Sequence, residues 1–427
     1  MVDIAIHYAE ITLRSKCLLG VTASVRQRSR QLTGLGHELP TVLRSGIVLE
    51  EPFAMPAARL EDLPLTASTG RIAGFDGLRA IAFLLVFVSH KAVAPLTDRY
   101  GTDGVWIFFV LSGFLITRIL ARSRERIEAG NSSGWSELVS FYMRRTARIF
   151  PVYYAFLAAL AILAVPGLID IGEPARQASN WLYVSNFYID RWGWRTDLGH
   201  LWSLAVEEQF YLLFAPLVFV LPRRRLPEIC IALIALSIAT HAELLWQGSW
   251  HISFEINSLI NFGLMAVGGL AGLAAERPLP TALRGSAPLL ATLAAVLAAP
   301  ALFPDIDTWA HFGRIPAALT ALALVQIYQD QRGRVARLLD LPPLRGLGII
   351  SYGAYLFHPV IKSGTLLHLV GYGGELRHSA VMFLDLLVTV GLASTSYLMF
   401  ERPVRSTVVA ISTNGSSHRA APPSMPS

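Results

Sequence analysis

The chain is short of charge and nearly without cysteine. Asp, Glu, Lys and Arg make up 15% of its 427 residues, where soluble domains carry about a quarter. Hydrophobic residues make up 53%, and the mean hydropathy is +0.48. That balance excludes an ordinary soluble enzyme and implies an integral membrane protein. Cys17 and Cys230 are the only cysteines, one in a polar stretch and one at the edge of an apolar run. They supply no disulfide framework. No Cys/His spacing suits zinc, so no metal is expected. Tandem repeats are absent. The net charge of +6 does not imply nucleic acid, because the basic residues sit in short clusters between apolar runs, as in membrane proteins.

Residues 1–71 lack any long apolar run and carry scattered Arg14, Lys16, Arg26, Arg28 and Arg30. The stretch Cys17–Val21 is too short for the core of a signal peptide. The segment reads as a disordered cytoplasmic tail. Met55 offers a second start not far before the first span, with the upstream residues then an artefact of gene calling.

From residue 72 to 405, apolar stretches of spanning length follow one another. They fall near 76–95, 103–121, 150–168, 201–221, 229–247, 256–275, 286–303, 311–328, 347–368 and 380–400. The predicted class is therefore all-α: a polytopic membrane helical bundle of about ten transmembrane helices. Alternate loops are the more basic, with Arg122, Arg124 and Arg126 in one and Arg223–Arg225 in another, which puts both termini in the cytoplasm. The cytoplasmic loop 122–149 contains Trp135–Tyr142, which reads as a short amphipathic helix on the membrane surface. The outer loop 169–200 carries Trp181, Trp192 and Trp194, as an interfacial aromatic belt does. Residues 406–427 are rich in Ser, Thr, Pro and Ala and read as a disordered tail.

Ionisable groups inside such apolar segments are costly and point to function. Arg79 and His90 are eleven residues apart with only Ser89 polar between them, so they share one helical face, about 16 Å apart. Asp76 falls near the same stripe. His90 can take a proton from a hydroxyl and return it to a leaving group. Arg79 either snorkels to the membrane surface or forms a fixed pair with Asp76. Arg145 and Arg148 share a face and either grip phosphate or supply ordinary surface charge. His200, Ser203, Glu207 and Tyr211 form one stripe, and four polar groups there argue for a wet cavity. Glu207 and Glu208 could instead sit at the aqueous edge. His358 precedes Pro359, and either lines a pocket or satisfies the carbonyl that the proline frees. Ser112 and Gly113 read as a packing surface, with no base beside Ser112 for catalysis.

Five ordered blocks carry a resemblance. They are Gly74-Phe75-Asp76-Gly77-Leu78-Arg79 with His90, Trp106-Ile107-Phe108-Phe109-Val110-Leu111-Ser112-Gly113-Phe114, and Arg144-Arg145-Thr146-Ala147-Arg148, followed by Leu201-Trp202-Ser203-Leu204-Ala205-Val206-Glu207-Glu208-Gln209-Phe210-Tyr211 and Ser351-Tyr352-Gly353-Ala354-Tyr355-Leu356-Phe357-His358-Pro359. Together they resemble the membrane-bound acyltransferase-3 family over about residues 72–405. The resemblance implies an enzyme of the bacterial inner membrane that moves an acyl group, usually acetyl from acetyl-CoA, onto hydroxyls of sugars. Acceptors in the family include lipopolysaccharide, exopolysaccharide, peptidoglycan and macrolides. It implies catalysis by His90 with Arg79, donor binding by Arg145 and Arg148, and site roles for Glu207, Tyr211 and His358. The reading of the residues themselves adds Asp76 and Glu207 to the catalytic group, and His200 and Glu208 to the substrate contacts with Tyr211 and His358. On that reading Glu207 orients His90 or binds acceptor hydroxyls. The competing reading is a non-enzymatic glycan transporter, which also uses intramembrane charge.

Overall fold

The computed structural model describes residues 71–92, 97–165, 171–194, 198–248, 251–303, 314–362, 377–404 and 406–407. The expectations for the N-terminal tail, Met55 and the C-terminal tail lie outside these residues. All regular secondary structure described is helical. The helices are α1 (Phe75–Lys91), α2 (Thr97–Glu128), α3 (Gly134–Ala164), α4 (Pro174–Trp181), α5 (Ser185–Trp192), α6 (Leu201–Val220) and α7 (Leu226–Trp246). There follow α8 (His251–Ile256), α9 (Ser258–Ala274), α10 (Ser286–Ala298), α11 (Arg314–Gln329), α12 (Arg334–Leu339), α13 (Pro342–Ile349), α14 (Ser351–Phe357) and α15 (His378–Ser396).

Among the described residues, five helical segments are long and apolar enough to cross a membrane: Arg99–Glu128, Gly134–Ala164, Leu201–Val220, Arg223–Trp246 and His378–Val404. The expected number was about ten. Several expected spans are shorter helices: α1 and α9 have 17 residues each, about 25 Å of rise. The ninth expected span is divided at Ile350 into α13 and α14.

The loop expected over 122–149 is also different. Trp135–Tyr142 forms the opening turns of α3 and runs straight on into the third span. Ser133 caps α3 by accepting from the Ser136 amide at 3.2 Å, and nothing after it breaks the helix before Pro151. Arg126 at the end of α2 pairs with Glu137 in the first turns of α3 at 2.6 Å, so only a tight turn separates the two helices. The loop expected over 169–200 holds α4 and α5, and Trp181, Trp192 and Trp194 are exposed.

Two close approaches set the frame around the site. A Cβ at Gly113 would overlap the carbonyl of Met265, so α2 and α9 touch backbone to backbone, as small residues permit in membrane bundles. A Cβ at Gly348 would overlap the carbonyl of Asp76, which seats α13 on the first turn of α1.

Candidate active site

The polar residues of α1 enter different surroundings. Arg79 pairs with Asp76 at 2.8 Å. Arg71 reaches the other Asp76 oxygen at 3.4 Å and clamps Asp340 with two bonds of 2.6 and 2.8 Å. Arg79 is therefore held in a fixed pair and does not snorkel. Asp76 is buried in this network and is not among the residues lining the arginine cavity.

Arg79, Arg145 and Arg148 converge on one cavity of about 770 Å³, with Ser112, Glu207 and Tyr211 also in its wall. Ser112 Oγ donates to Glu207 Oε1 at 2.5 Å, and the Tyr211 hydroxyl donates to the same oxygen. The Arg145 guanidinium lies 5.6 Å from the Tyr211 ring centre and 5.9 Å from that of Phe141. Asp76 balances Arg79, which leaves Arg145 and Arg148 against Glu207, and the cavity suits an anionic ligand able to take bidentate hydrogen bonds. Ser112 has an acidic neighbour after all, which sequence spacing could not show across 95 residues.

A second cavity, of about 920 Å³, is lined by Ser89, His90, Thr102, Trp194, His200 and Glu255, among others. A lobe of about 580 Å³ shares His90, Trp194 and His200 and adds Lys91 and Lys362. Lys91 pairs with the buried Asp385 of α15 at 2.8 Å, which ties the His90 end of α1 to the last long helix.

The imidazoles are oriented by backbone. Pro359 has no N–H, so the carbonyl four residues back, that of Tyr355, loses its helical donor. His358 Nδ1 supplies it at 2.7 Å. The donating nitrogen carries the proton, which leaves Nε2 of neutral His358 as an acceptor. That Nε2 lies 3.4 Å from Nδ1 of His90, and the same Nδ1 lies 2.9 Å from the Val86 carbonyl. Both neighbours accept, so the geometry assigns the His90 proton to Nδ1 and the basic lone pair to Nε2. His200 directly precedes α6 and bonds the Leu356 carbonyl through Nε2 at 3.2 Å.

Of the two alternatives raised for His358, the structure shows the bond to the proline-freed carbonyl; the ring is fully buried against His90 and is not among the residues lining these cavities. The expected stripe of α6 divides. His200 faces the histidine chamber, whereas Ser203, Glu207 and Tyr211 face the arginine cavity. The partner expected to orient His90 was Glu207. Glu207 is instead bonded to Ser112 and Tyr211, because the seven-residue step from His200 carries it about 10 Å along the axis. Glu208 lines neither cavity, being one residue and about 100° of rotation from Glu207, and its Oε1 is buried without a hydrogen bond. Tyr355, Trp194 and Lys91 were not singled out from the sequence. Tyr355 stands three residues before His358, and Lys91 directly follows His90, so proximity along the chain was the available signal. Among the described residues no group of three His, Cys, Asp or Glu is placed to hold a metal ion.

Residues 72–396 match a family described as an acyltransferase domain. The chain is 31% identical over 366 residues to YrhL of Bacillus subtilis, provisionally named a peptidoglycan O-acetyltransferase. It is 27% identical over 364 residues to the peptidoglycan O-acetyltransferase OatA of Listeria monocytogenes. It is 26% identical over 355 residues to the O-acetyltransferase OatA of Staphylococcus aureus. Each match covers 78% of this chain but only 55%, 56% and 57% of those relatives. No solved structure matches.

Proposed function

From the premise that the chain belongs to this acyltransferase family, we propose that it is a membrane O-acetyltransferase using acyl-CoA as donor and a cell-wall glycan as acceptor. The names of the relatives favour peptidoglycan over lipopolysaccharide, exopolysaccharide or a macrolide as the acceptor. The observation that carries the reading is the pairing of an arginine-lined cavity with an adjoining chamber that holds an oriented imidazole. Arg145 and Arg148, with Arg79, hold the phosphates of the CoA moiety through charge-assisted bonds. The acceptor enters beside His90 and His200. Nε2 of His90 takes the proton of the acceptor hydroxyl as its oxygen attacks the thioester carbonyl. A C–O bond forms, the C–S bond breaks, and the proton passes to the departing thiolate. Glu207, held by Ser112 and Tyr211, offsets part of the positive charge of the donor cavity. The alternation of basic loops supports an inner-membrane placement with both termini in the cytoplasm, and so a cytoplasmic arginine cavity.

The test uses membranes containing the full chain, radiolabelled acetyl-CoA and peptidoglycan fragments. Wild-type protein transfers label to the fragments, and His90→Ala lowers transfer by at least about 100-fold at unchanged protein level. Normal transfer by that variant overturns the mechanism. Glycan movement across the membrane without acyl-CoA consumption supports the transporter reading instead.

A further inference from the structure

The arginine cavity and the histidine chamber adjoin each other. Their linings share Val105 and Tyr355. Tyr355 is 6% exposed and Ser203 5%. The Tyr355 hydroxyl donates to Ser203 Oγ at 2.6 Å and lies 3.1 Å from the His200 carbonyl. Ser203 Oγ donates to the same carbonyl at 3.0 Å. The ring packs against Phe108 on the arginine side, with centroids 6.1 Å apart, and against His358 and His200, both at 5.6 Å. A side chain bonded at its tip, in contact with a ring lining each cavity and common to both is built as a barrier. The carbonyl of the same residue receives the bond that sets the His358 tautomer, so barrier and imidazole relay are joined at one residue.

We propose that Tyr355 is the partition between donor and acceptor spaces. It keeps water in the histidine chamber away from the thioester until an acceptor hydroxyl is in place. This rests on the reaction proposed above. Without the ring, water attacks the thioester carbonyl, a C–O bond forms, the C–S bond breaks, and acetate and CoA leave without transfer. Excluding such side reactions is a general use of a closed site.

Two experiments separate the partition from the reaction. In full-length protein carrying Cys17→Ser, Cys230→Ser and Ser112→Cys, a membrane-impermeant thiol reagent is offered from the face on which a separate His90→Cys variant is labelled. Position 112 is expected to stay unlabelled with Tyr355 present and to become labelled with Tyr355→Ala or Val105→Gly. Equal labelling with and without the ring, in whichever opening variant still labels at position 90, overturns the partition whether or not the protein is an acetyltransferase. The second experiment measures CoA release without acceptor. Tyr355→Ala should raise it about tenfold while transfer falls. Tyr355→Phe keeps the ring and should stay at the wild-type level. An unlabelled wild type that consumes no acetyl-CoA sinks the reaction and leaves the partition standing. An active wild type with no rise in release for Tyr355→Ala sinks the partition.

Discussion

Nε2 of His358 lies 3.4 Å from Nδ1 of His90, although 268 residues separate them in the chain. The contact exists because Pro359 leaves the Tyr355 carbonyl without its amide donor, and His358 Nδ1 takes that place. The proline thus decides which nitrogen of His358 carries a proton. His358 and the Val86 carbonyl, both acceptors toward Nδ1 of His90, leave its Nε2 as the basic nitrogen.

His358→Ala should therefore lower kcat for acetyl transfer by about 10- to 100-fold, the usual loss when a group that orients an imidazole is removed. The KM for the donor should not move, because His358 lines no part of the arginine cavity. A steady-state analysis in detergent checks this. A raised donor KM with unchanged kcat would contradict it.

Replacing Arg145 or Arg148 by Ala should raise the donor KM by about 10-fold or more, since hydrogen bonds to charged groups contribute about 1.5–3 kcal/mol each. The same variants should be near wild type with S-acetylpantetheine, which lacks the nucleotide phosphates. Comparing the two donors identifies a phosphate contact. An equal loss with both would place these arginines elsewhere in the reaction.

Gly113→Val should destabilise the bundle by about 1–3 kcal/mol or prevent folding, because overpacking displaces a backbone contact. In this case the Met265 carbonyl lies where the added Cβ would sit. The check is a lower melting temperature for the solubilised protein. A melting curve equal to wild type would show that α2 and α9 can separate without cost.

The Asp340 carboxyl, outside the spans, is held below its ordinary range, first by the hydrogen bonds from Arg71. Depression of a carboxyl in the folded state means stability that is complete above its unfolded value of about 4 and is lost as pH falls through the folded one. Asp340→Asn should abolish that part of the acid-side loss. Thermal unfolding of both proteins from pH 6 down to pH 3 should show the wild-type advantage shrinking. An advantage constant over that range would remove Asp340 from the pH response.

Much of the site could be read along single helices. The i, i+3 pairing of Asp76 with Arg79 needs only helical geometry, and the structure forms it at 2.8 Å. The convergence of Arg145 and Arg148 on one face is of the same kind. What eluded sequence reasoning was the assignment of neighbours between helices. Glu207 and His90 looked like partners because both were polar in apolar surroundings, yet they open on different cavities. The count of about ten spans is not confirmed, for a related reason. Hydropathy windows register apolar length, whereas α13 and α14 are divided at Ile350, where the backbone is neither α-helical nor extended, after a helix that rests on α1 through Gly348.

The sequence by itself determined a helical membrane protein with costly arginine and histidine groups at set points along its helices, because hydropathy and a rotation of about 100° per residue are local properties. Only the tertiary structure decided that Arg79 and His90, on one stripe of one helix, serve two spaces divided by Tyr355. Residues 105, 203 and 355 come from three helices, and the wall they form depends on how closely the helices pack, which no local pattern encodes.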